Sequence, residues 1–332
     1  MGAIAHLVVT PKARAYNEAS MNAQLYVFSD DKLTPLEAPS SRPLRWAAWA
    51  GDRCLLVGNG GTALLYDPSS GRSKPIDTGT KQNLRGAAFS PDGSKALLVG
   101  NRGLVLLYDG ASVRALASPS HENLRRAAWH PSGEHALIVG NAGTVLRYAD
   151  GSLTPVPGDR AHTLRALAWR PDGAYALVGA YASRYAGYPR PHALYKCDGL
   201  YLQALLTSDE EDDFVAVDWH PDGTHALIAG YAFLREEPAL SASEGNKLLT
   251  YNGRGFASRA VEASGALLGA AWHPGGEYAL LCGEGGTLLR FDGDRVEQIE
   301  SGTQDNLVGP FWEPNGSLAL LLRGPSERVY TV

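Results

Sequence analysis

The chain of 332 residues is 44% hydrophobic and 20% charged, a composition typical of folded proteins that excludes a disordered chain. Its formal net charge of -5 argues against a surface that neutralises many phosphates, so we expect no nucleic-acid partner. Its 38 glycines and 20 prolines are typical of many short strands joined by tight turns.

The N-terminal segment lacks a basic start followed by a long apolar stretch, so no export signal is predicted. No apolar run elsewhere is long enough to span a bilayer, and we expect no membrane contact. The three cysteines, Cys54, Cys197 and Cys282, are an odd number in a long chain and favour a reducing compartment. A cytoplasmic location is therefore expected.

An apolar hexapeptide ending in an aromatic residue recurs seven times, and the closing aromatics are 40, 40, 40, 50, 53 and 40 residues apart. The hexapeptides start near residues 44, 84, 124, 164, 214, 267 and 307: LRWAAW, LRGAAF, LRRAAW, LRALAW, FVAVDW, LLGAAW and LVGPFW. Runs this short, each followed by a turn signal, predict β-strands. We number the repeats 1 to 7 from these starts and predict that each hexapeptide forms an inner strand.

The remainder of each repeat predicts three more strands. A turn such as Pro91-Asp92-Gly93 reverses the chain, and a second turn such as Asn141-Ala142-Gly143 separates the second and third strands. A short fourth strand follows an Asp-Gly turn. Four antiparallel strands per repeat make a propeller blade. We therefore predict an all-β fold, a seven-bladed β-propeller of four-stranded antiparallel blades, as a single domain over residues 1–332.

The repeated small residues of the inner strand suit the crowded centre of a ring, and the tryptophans that follow are expected to fill the gaps between blades as core. Histidines His130, His220 and His273 each precede a turn proline. Equivalent positions in a ring lie far apart, so these histidines predict a repeated structural contact and no shared metal. The sequence contains no nucleophile elbow, phosphate-binding loop or cysteine pair at zinc spacing, and we expect no cofactor.

These units resemble the WD40-like propeller repeats, whose inner strand is followed by a Pro-Asp-Gly turn, over about residues 24–332. The Gly-x-Gly-Thr turn that precedes an apolar strand and Asp-Gly is similar to the Ycf48-like propellers of photosystem assembly. The Trp-Asp and Gly-His dipeptides of true WD40 blades are absent at the expected places. The resemblance implies the propeller fold and the binding of another protein or a peptide.

The last repeat predicts an inner strand at Leu307–Trp312, a second at Leu318–Leu322 and a third at Arg328–Val332, and then stops. Residues Leu33–Leu36 resemble the outer strand at Leu153–Val156 and are predicted to supply the fourth strand. N-terminal strands within residues 1–43 would thus complete the last blade and close the ring. Two further apolar segments, which we expect at the outer edge of that blade, are Ile4–Val9 and Gln24–Phe28.

Repeats 4 and 5 carry insertions between their second and third strands, from Tyr181 to His192 and from Tyr231 to Lys247. In a four-strand meander both insertions rise from the same face of the ring. They contain residue types that dominate protein interfaces: Arg184, Tyr185, Tyr188, Arg190, Tyr231, Phe233 and Arg235. We predict that they bind a partner. The alternative is that the aromatic rings fold down over the blades.

Arginines occupy one inner-strand position in repeats 1 to 4: Arg45, Arg85, Arg125 and Arg165. Guanidinium groups that converge at a channel mouth could bind an acidic peptide, a phosphate or a carboxylate through charge-assisted bonds. The alternative is that each arginine bonds to a carboxylate or turn carbonyl of its own blade.

The run Asp209, Glu210, Glu211, Asp212 and Asp213 links repeats 4 and 5 on the same face. It is a candidate site for a basic partner, and the alternative is an ordinary solvated link. It lacks the spacing of a calcium-binding loop, and we expect no metal.

The leading functional hypothesis is a non-catalytic protein-interaction scaffold that binds a partner on its loop-rich face, or a subunit of a larger assembly. The alternative is a propeller hydrolase or lyase whose core at the channel mouth would be Arg45, Arg85, Arg125 and Asp218. That alternative requires an acid or base within hydrogen-bond reach of a substrate held by the arginines.

Overall fold

The computed structural model describes residues 25–37, 39–158, 163–181, 192–207, 212–232, 245–263 and 265–325. The strands in the first half are β1 (Leu25–Ser29), β2 (Lys32–Leu36), β3 (Leu44–Ala50), β4 (Arg53–Gly58), β5 (Ala63–Asp67), β6 (Arg72–Pro75), β7 (Leu84–Phe89), β8 (Ala96–Gly100), β9 (Val105–Tyr108), β10 (Val113–Ala115), β11 (Leu124–Trp129), β12 (His135–Gly140), β13 (Val145–Ala149) and β14 (Ser152–Pro155). The others are β15 (Thr163–Trp169), β16 (Ala176–Tyr181), β17 (His192–Cys197), β18 (Leu202–Thr207), β19 (Asp212–Trp219), β20 (Ala226–Ala232), β21 (Asn246–Tyr251), β22 (Phe256–Arg259), β23 (Leu267–Trp272), β24 (Ala279–Gly283), β25 (Leu288–Phe291), β26 (Val296–Gln298), β27 (Leu307–Trp312) and β28 (Ala319–Arg323).

Repeats 1 to 6 each fold as an antiparallel meander whose four strands follow the predicted order; in repeat 1 the sheet order is β3-β4-β5-β6. Repeats 4 and 5 share one eight-stranded sheet, because Tyr181 of β16 pairs with Asp213 of β19. The extra residues of both repeats lie between second and third strands, as predicted. No helix within the described ranges has the length and apolar character needed to cross a membrane.

The core lies between neighbouring sheets. Second strands such as β8 are buried at every position, because a sheet covers each of their faces. Leu55 and Val57 of β4, for example, pack in one cluster with Leu84 of β7 and Leu98 of β8. The apolar residues of each repeat are therefore buried largely against the next one.

The inner strands form a closed ring. Each contacts the inner strand of the following repeat, and β27 contacts β3. Tryptophans at the ends of the inner strands connect adjacent sheets: Trp129 Nε1 donates to the Ala88 carbonyl at 3.1 Å and Trp49 Nε1 to the Phe311 carbonyl at 3.0 Å. The fold is an all-β propeller, and the tryptophans belong to its core.

The turn histidines also connect neighbouring repeats. Nε2 of His130 donates to the Gly173 carbonyl at 3.0 Å, and His273 makes the same bond to Gly316 at 3.1 Å. A Cβ at Gly173 would lie 2.4 Å from the His130 ring, so glycine is required at this close approach as well as for its φ of 74°. The histidines thus have the repeated structural contact that the sequence predicts.

The closing sheet has the order β2-β1-β28-β27, so strands from both ends of the chain complete it. The predicted outer strand at residues 33–36 is confirmed as β2. The prediction of a third strand at Arg328–Val332 is wrong, because β1 occupies that position, with Val27 opposite both Leu320 and Thr34. Residues 328–332 and Ile4–Val9 lie outside the described residues. The segment expected at the outer edge, residues 24–28, instead supplies the buried third strand.

Candidate functional site

The arginines of repeats 1 to 4 occupy β-bulges. In repeat 1, Leu44 pairs with Gly58 and Trp46 with Val57, which leaves Arg45 as the extra residue between them. The same register shift leaves Arg85, Arg125 and Arg165 without a partner on the second strand. A bulge bends its strand and changes the direction of a side chain. The bulge therefore turns each arginine out of the regular alternation of the inner strand.

Three of these arginines are held by an asparagine of their own repeat. Nε of Arg45 donates to Asn59 Oδ1 at 2.9 Å, and Nε of Arg125 donates to Asn141 Oδ1 at 2.8 Å. Arg85 makes the same bond to Asn101. The asparagine uses only Nε, and the terminal Nη nitrogens form no hydrogen bond within the described part of the chain. The bond lies within the blade, but its acceptor is an asparagine amide oxygen instead of the expected carboxylate or turn carbonyl. It orients the guanidinium without neutralising it.

Repeat 4 differs because tyrosine replaces this asparagine. The Arg165 guanidinium lies 4.0 Å from the centre of the Tyr181 ring, a cation–π contact. Its buried Nε has no hydrogen-bond partner in the part of the chain that the structure describes. Tyr181 in turn accepts a hydrogen bond from the Tyr231 hydroxyl at 3.3 Å. Tyr181 is the last residue of β16 and Tyr231 the second-last of β20, so both lie at strand ends next to the insertions in the sequence.

The four arginines converge on one cavity of about 300 Å³, which we call the mouth cavity. Its wall also includes Arg126 and Arg323, the latter paired with Asp305 at 3.2 Å. The opposite side is apolar and is formed by residues that replace the arginines in repeats 5 to 7: Val215, Leu268 and Val308. Among the described lining residues Glu284 is the only carboxylate. The cavity therefore has a cationic half and an apolar half.

Burial and mutual repulsion act against the charges of this cluster. Burial, with smaller contributions from Arg45 and Arg165, lowers the pKa of Arg85 to about 10. Burial, and then Arg165 and Arg85, lowers the pKa of Arg125 to about 9. Both groups remain charged at neutral pH. A bound anion would relieve this repulsion, so the cavity favours negatively charged ligands.

Of the residues predicted to bind a partner, Tyr231 is half-buried in the wall of the mouth cavity. Burial raises its pKa above the usual range, and the hydroxyl is neutral. The others lie outside the described residues: Arg184, Tyr185, Tyr188, Arg190, Phe233 and Arg235.

The expectation of a solvated acidic link is wrong for Asp212 and Asp213, which are 8% and 3% exposed. Strand β19 begins at Asp212 and pairs with β20, so both residues belong to the sheet. Asp212 also lies 3.7 Å from Lys247 Nζ. These two carboxylates are therefore not available to a basic partner, and Asp209, Glu210 and Glu211 lie outside the described residues.

The residues proposed as the active site of the enzyme alternative do not lie in one cavity. Asp218 does not line the mouth cavity that holds Arg45, Arg85 and Arg125; it lines a separate cavity farther along the inner strands. A substrate bound by the arginines would thus lack the carboxyl that was expected to act on it. The four residues do not form one site.

Sequence reasoning missed Arg126 as a site residue. It follows Arg125 in the repeat 3 hexapeptide LRRAAW, where the other repeats carry Trp46 or a small residue. The doubled arginine was a visible signal. Its meaning depends on the bulge, which places both arginines in the same cavity wall.

His220, Asp222 and His225 form a compact polar cluster, with donor atoms within 4.8 Å of one another. Both nitrogens of His220 are already engaged, Nε2 by the Gly276 carbonyl at 3.0 Å and Nδ1 by Asp222 at 2.6 Å. The same stacked pair of rings recurs at His130 and His135. We therefore assign this cluster to the turn contact and not to a metal site.

Comparison with solved structures supports the fold. Hydrazine synthase of Kuenenia stuttgartiensis has a TM-score of 0.69 at 12% identity, and the match covers 88% of this chain and 98% of that one. A structure described as YCF48 bound to D1 peptide has a TM-score of 0.62 at 13% identity, covering 93% and 97%. No protein-family model and no curated protein matches the sequence. At these identities the likeness is one of fold.

Proposed function

We propose that this propeller is a non-catalytic binding scaffold whose mouth cavity holds an acidic segment of a partner protein. The observation that carries the proposal is the convergence of four arginines from consecutive repeats on one cavity, with their Nη donors unused within the described residues. Planar guanidinium groups bind carboxylates bidentately.

The apolar half of the cavity adds a requirement for the ligand. Val215, Leu268 and Val308 would cover apolar side chains next to the acidic groups. A free inorganic anion would leave this half uncovered. The best ligand is therefore a peptide in which acidic and apolar residues are adjacent.

Two further observations support a protein partner. In the sequence, the insertions of repeats 4 and 5 follow strands β16 and β20, which contribute Tyr181 and Tyr231 to the cavity wall. The structural neighbour YCF48 is described as bound to a D1 peptide, so a propeller of this size can bind a peptide. Such a scaffold can act alone or as a subunit of a larger assembly.

The test is a direct titration of the full chain with fluorescent peptides that alternate acidic and apolar residues. A matched peptide with Asn and Gln in place of Asp and Glu should bind at least tenfold more weakly, and added salt should weaken the acidic peptide because it screens the charges. The double variant Arg85→Gln, Arg125→Gln should also bind the acidic peptide at least tenfold more weakly than the wild type.

The matched control is Arg114→Gln, which removes one exposed arginine of the outer strand β10 and should change affinity less than twofold. Equal binding of the acidic and amide peptides would refute the proposal. Full binding by the double variant, with its fold verified by circular dichroism, would also refute it.

A further inference from the structure

A second cavity of about 180 Å³ lies among the inner strands beyond the mouth cavity. Most of its wall is apolar and is formed by small or aliphatic residues such as Ala168, Ala270 and Pro310. Two ionisable side chains line it, Arg126 and Asp218. We call it the central cavity. The two cavities adjoin, since both are lined by Arg126, Val215, Leu268 and Val308.

Arg126 is held in place while part of its guanidinium stays available. Nη1 donates to the carbonyls of Arg85 at 3.0 Å and Arg125 at 2.8 Å, and Cζ lies 3.7 Å from the centre of the Trp46 ring. Within the described chain Nη2 and Nε form no hydrogen bond, and no carboxylate pairs with the group. The cavity therefore contains a positioned cation without a counter-ion.

Asp218 is the acidic side chain that lines the central cavity. Its Oδ2 accepts a hydrogen bond from the Trp272 backbone amide at 2.8 Å, which fixes the carboxyl between two inner strands. Burial raises the pKa of Asp218 to about 7, and backbone amides of Trp272 and Trp219 only partly offset this effect. No cation among the described residues pairs with the carboxyl, and Arg126 lies too far away to form an ion pair.

Two opposite charges that lack a charged partner are costly in one small apolar cavity, because their bonds to backbone groups replace only part of the lost water. A single ion could compensate only one of them. A molecule that carries both an ammonium and a carboxylate compensates both at once. Size limits it further, since a cavity of ~150 Å³ accepts a molecule about as large as benzene.

We propose that the central cavity is a binding site for a small zwitterion of the free amino-acid type, whose carboxylate bonds to Arg126 and whose ammonium bonds to Asp218. This site is independent of the acidic-peptide function of the mouth cavity. It lies farther along the inner strands than the mouth cavity does.

The test is isothermal titration calorimetry of the full chain with glycine, β-alanine and γ-aminobutyrate, which differ in the separation of their charges, and with acetate and methylammonium. At least one zwitterion should bind with one-to-one stoichiometry and at least tenfold more tightly than either single ion. Asp218→Asn and Arg126→Gln should each weaken that binding at least tenfold.

The matched controls are Asp294→Asn and Arg114→Gln, which alter exposed outer residues and should change the affinity less than twofold. Ala168→Leu keeps both charges and fills the cavity, so it tests the site even if a charge variant does not fold; it should abolish binding. The proposal is wrong if no zwitterion exceeds the single ions, or if Ala168→Leu binds like the wild type.

Discussion

At the scale of single residues, Asp218 is the position where repeat 5 departs from the others. Five repeats carry alanine at this place in the inner strand, and repeat 7 carries Phe311. The Asp218 carboxyl accepts a hydrogen bond from a backbone amide of the next repeat, that of Trp272. It also brings a poorly solvated acid into the centre of the ring, and this makes the stability of the fold depend on pH.

Asp218→Asn should stabilise the protein more at pH 8 than at pH 5. The folded state holds the Asp218 proton up to a pKa of about 7, whereas the unfolded chain releases it near 3.8, so wild-type stability falls as pH rises between these values and levels off above 7. Each pH unit between 5 and 7 costs the wild type about 1.4 kcal/mol of unfolding free energy. The stability of Asp218→Asn relative to the wild type should therefore rise by on the order of 2 to 3 kcal/mol from pH 5 to pH 8.

Urea denaturation of both proteins at the two pH values measures this difference. The control Asp294→Asn removes an exposed carboxyl and should alter the free energy of unfolding by less than ~0.5 kcal/mol. A gain for Asp218→Asn that is the same at both pH values would contradict the proposed cause.

At the scale of elements, the tryptophans that close six of the seven inner-strand hexapeptides do not all make the same bond. Trp129, Trp169 and Trp312 donate Nε1 to a carbonyl of the preceding inner strand. Trp219 and Trp272 are equally part of the core, yet their buried Nε1 atoms have no hydrogen-bond partner among the described residues. The repeated tryptophans therefore share a packing position in the core, but they do not all share the hydrogen bond.

This difference predicts unequal costs for the same substitution. Trp129→Phe removes the hydrogen bond to the Ala88 carbonyl, whereas Trp219→Phe removes an N–H that is unpaired within the described residues and should cost less. We expect Trp129→Phe to lower the free energy of unfolding by about 1 to 2 kcal/mol more than Trp219→Phe. Chemical denaturation of the two variants measures this difference. Equal losses of unfolding free energy would show that the Trp129 hydrogen bond makes no net contribution to stability.

At the scale of the whole molecule, closure depends on a strand from the other end of the chain. Strand β1 lies between β28 and β2, so its residues bond on both sides. Outer strands have a free edge and tolerate proline, as Pro35, Pro75 and Pro155 show at equivalent positions. Strand β1, the third strand of the closing sheet, is paired on both sides and should not tolerate proline.

Val27→Pro should therefore lower the free energy of unfolding by ~3 kcal/mol or more, because proline in the middle of a sheet removes ladder bonds. The matched control is Ala115→Pro, at the outer-strand position where other repeats already have proline, and it should cost less than ~1 kcal/mol. Thermal unfolding compares the two, and a tolerated Val27→Pro would exclude β1 as an essential closing strand.

The repeated pattern by itself determined the secondary structure of each unit. Short apolar runs and Pro-x-Gly turns specify strands and reversals through backbone sterics that act within a few residues, so the meanders, the places of the insertions and the outer strand β2 were predictable. The arginine position could also be found, because the same residue type recurs at the repeat spacing.

Tertiary structure decided everything that depends on register and closure. A one-residue bulge aims Arg45 and its equivalents into one cavity, β1 takes the third place in the closing sheet, and pairing with β20 buries Asp213. The ring also separates Asp218 from the arginines and faces it towards Arg126 across another cavity. These outcomes depend on contacts between residues far apart in the chain, and a pattern that repeats locally does not encode which distant partner each side chain meets.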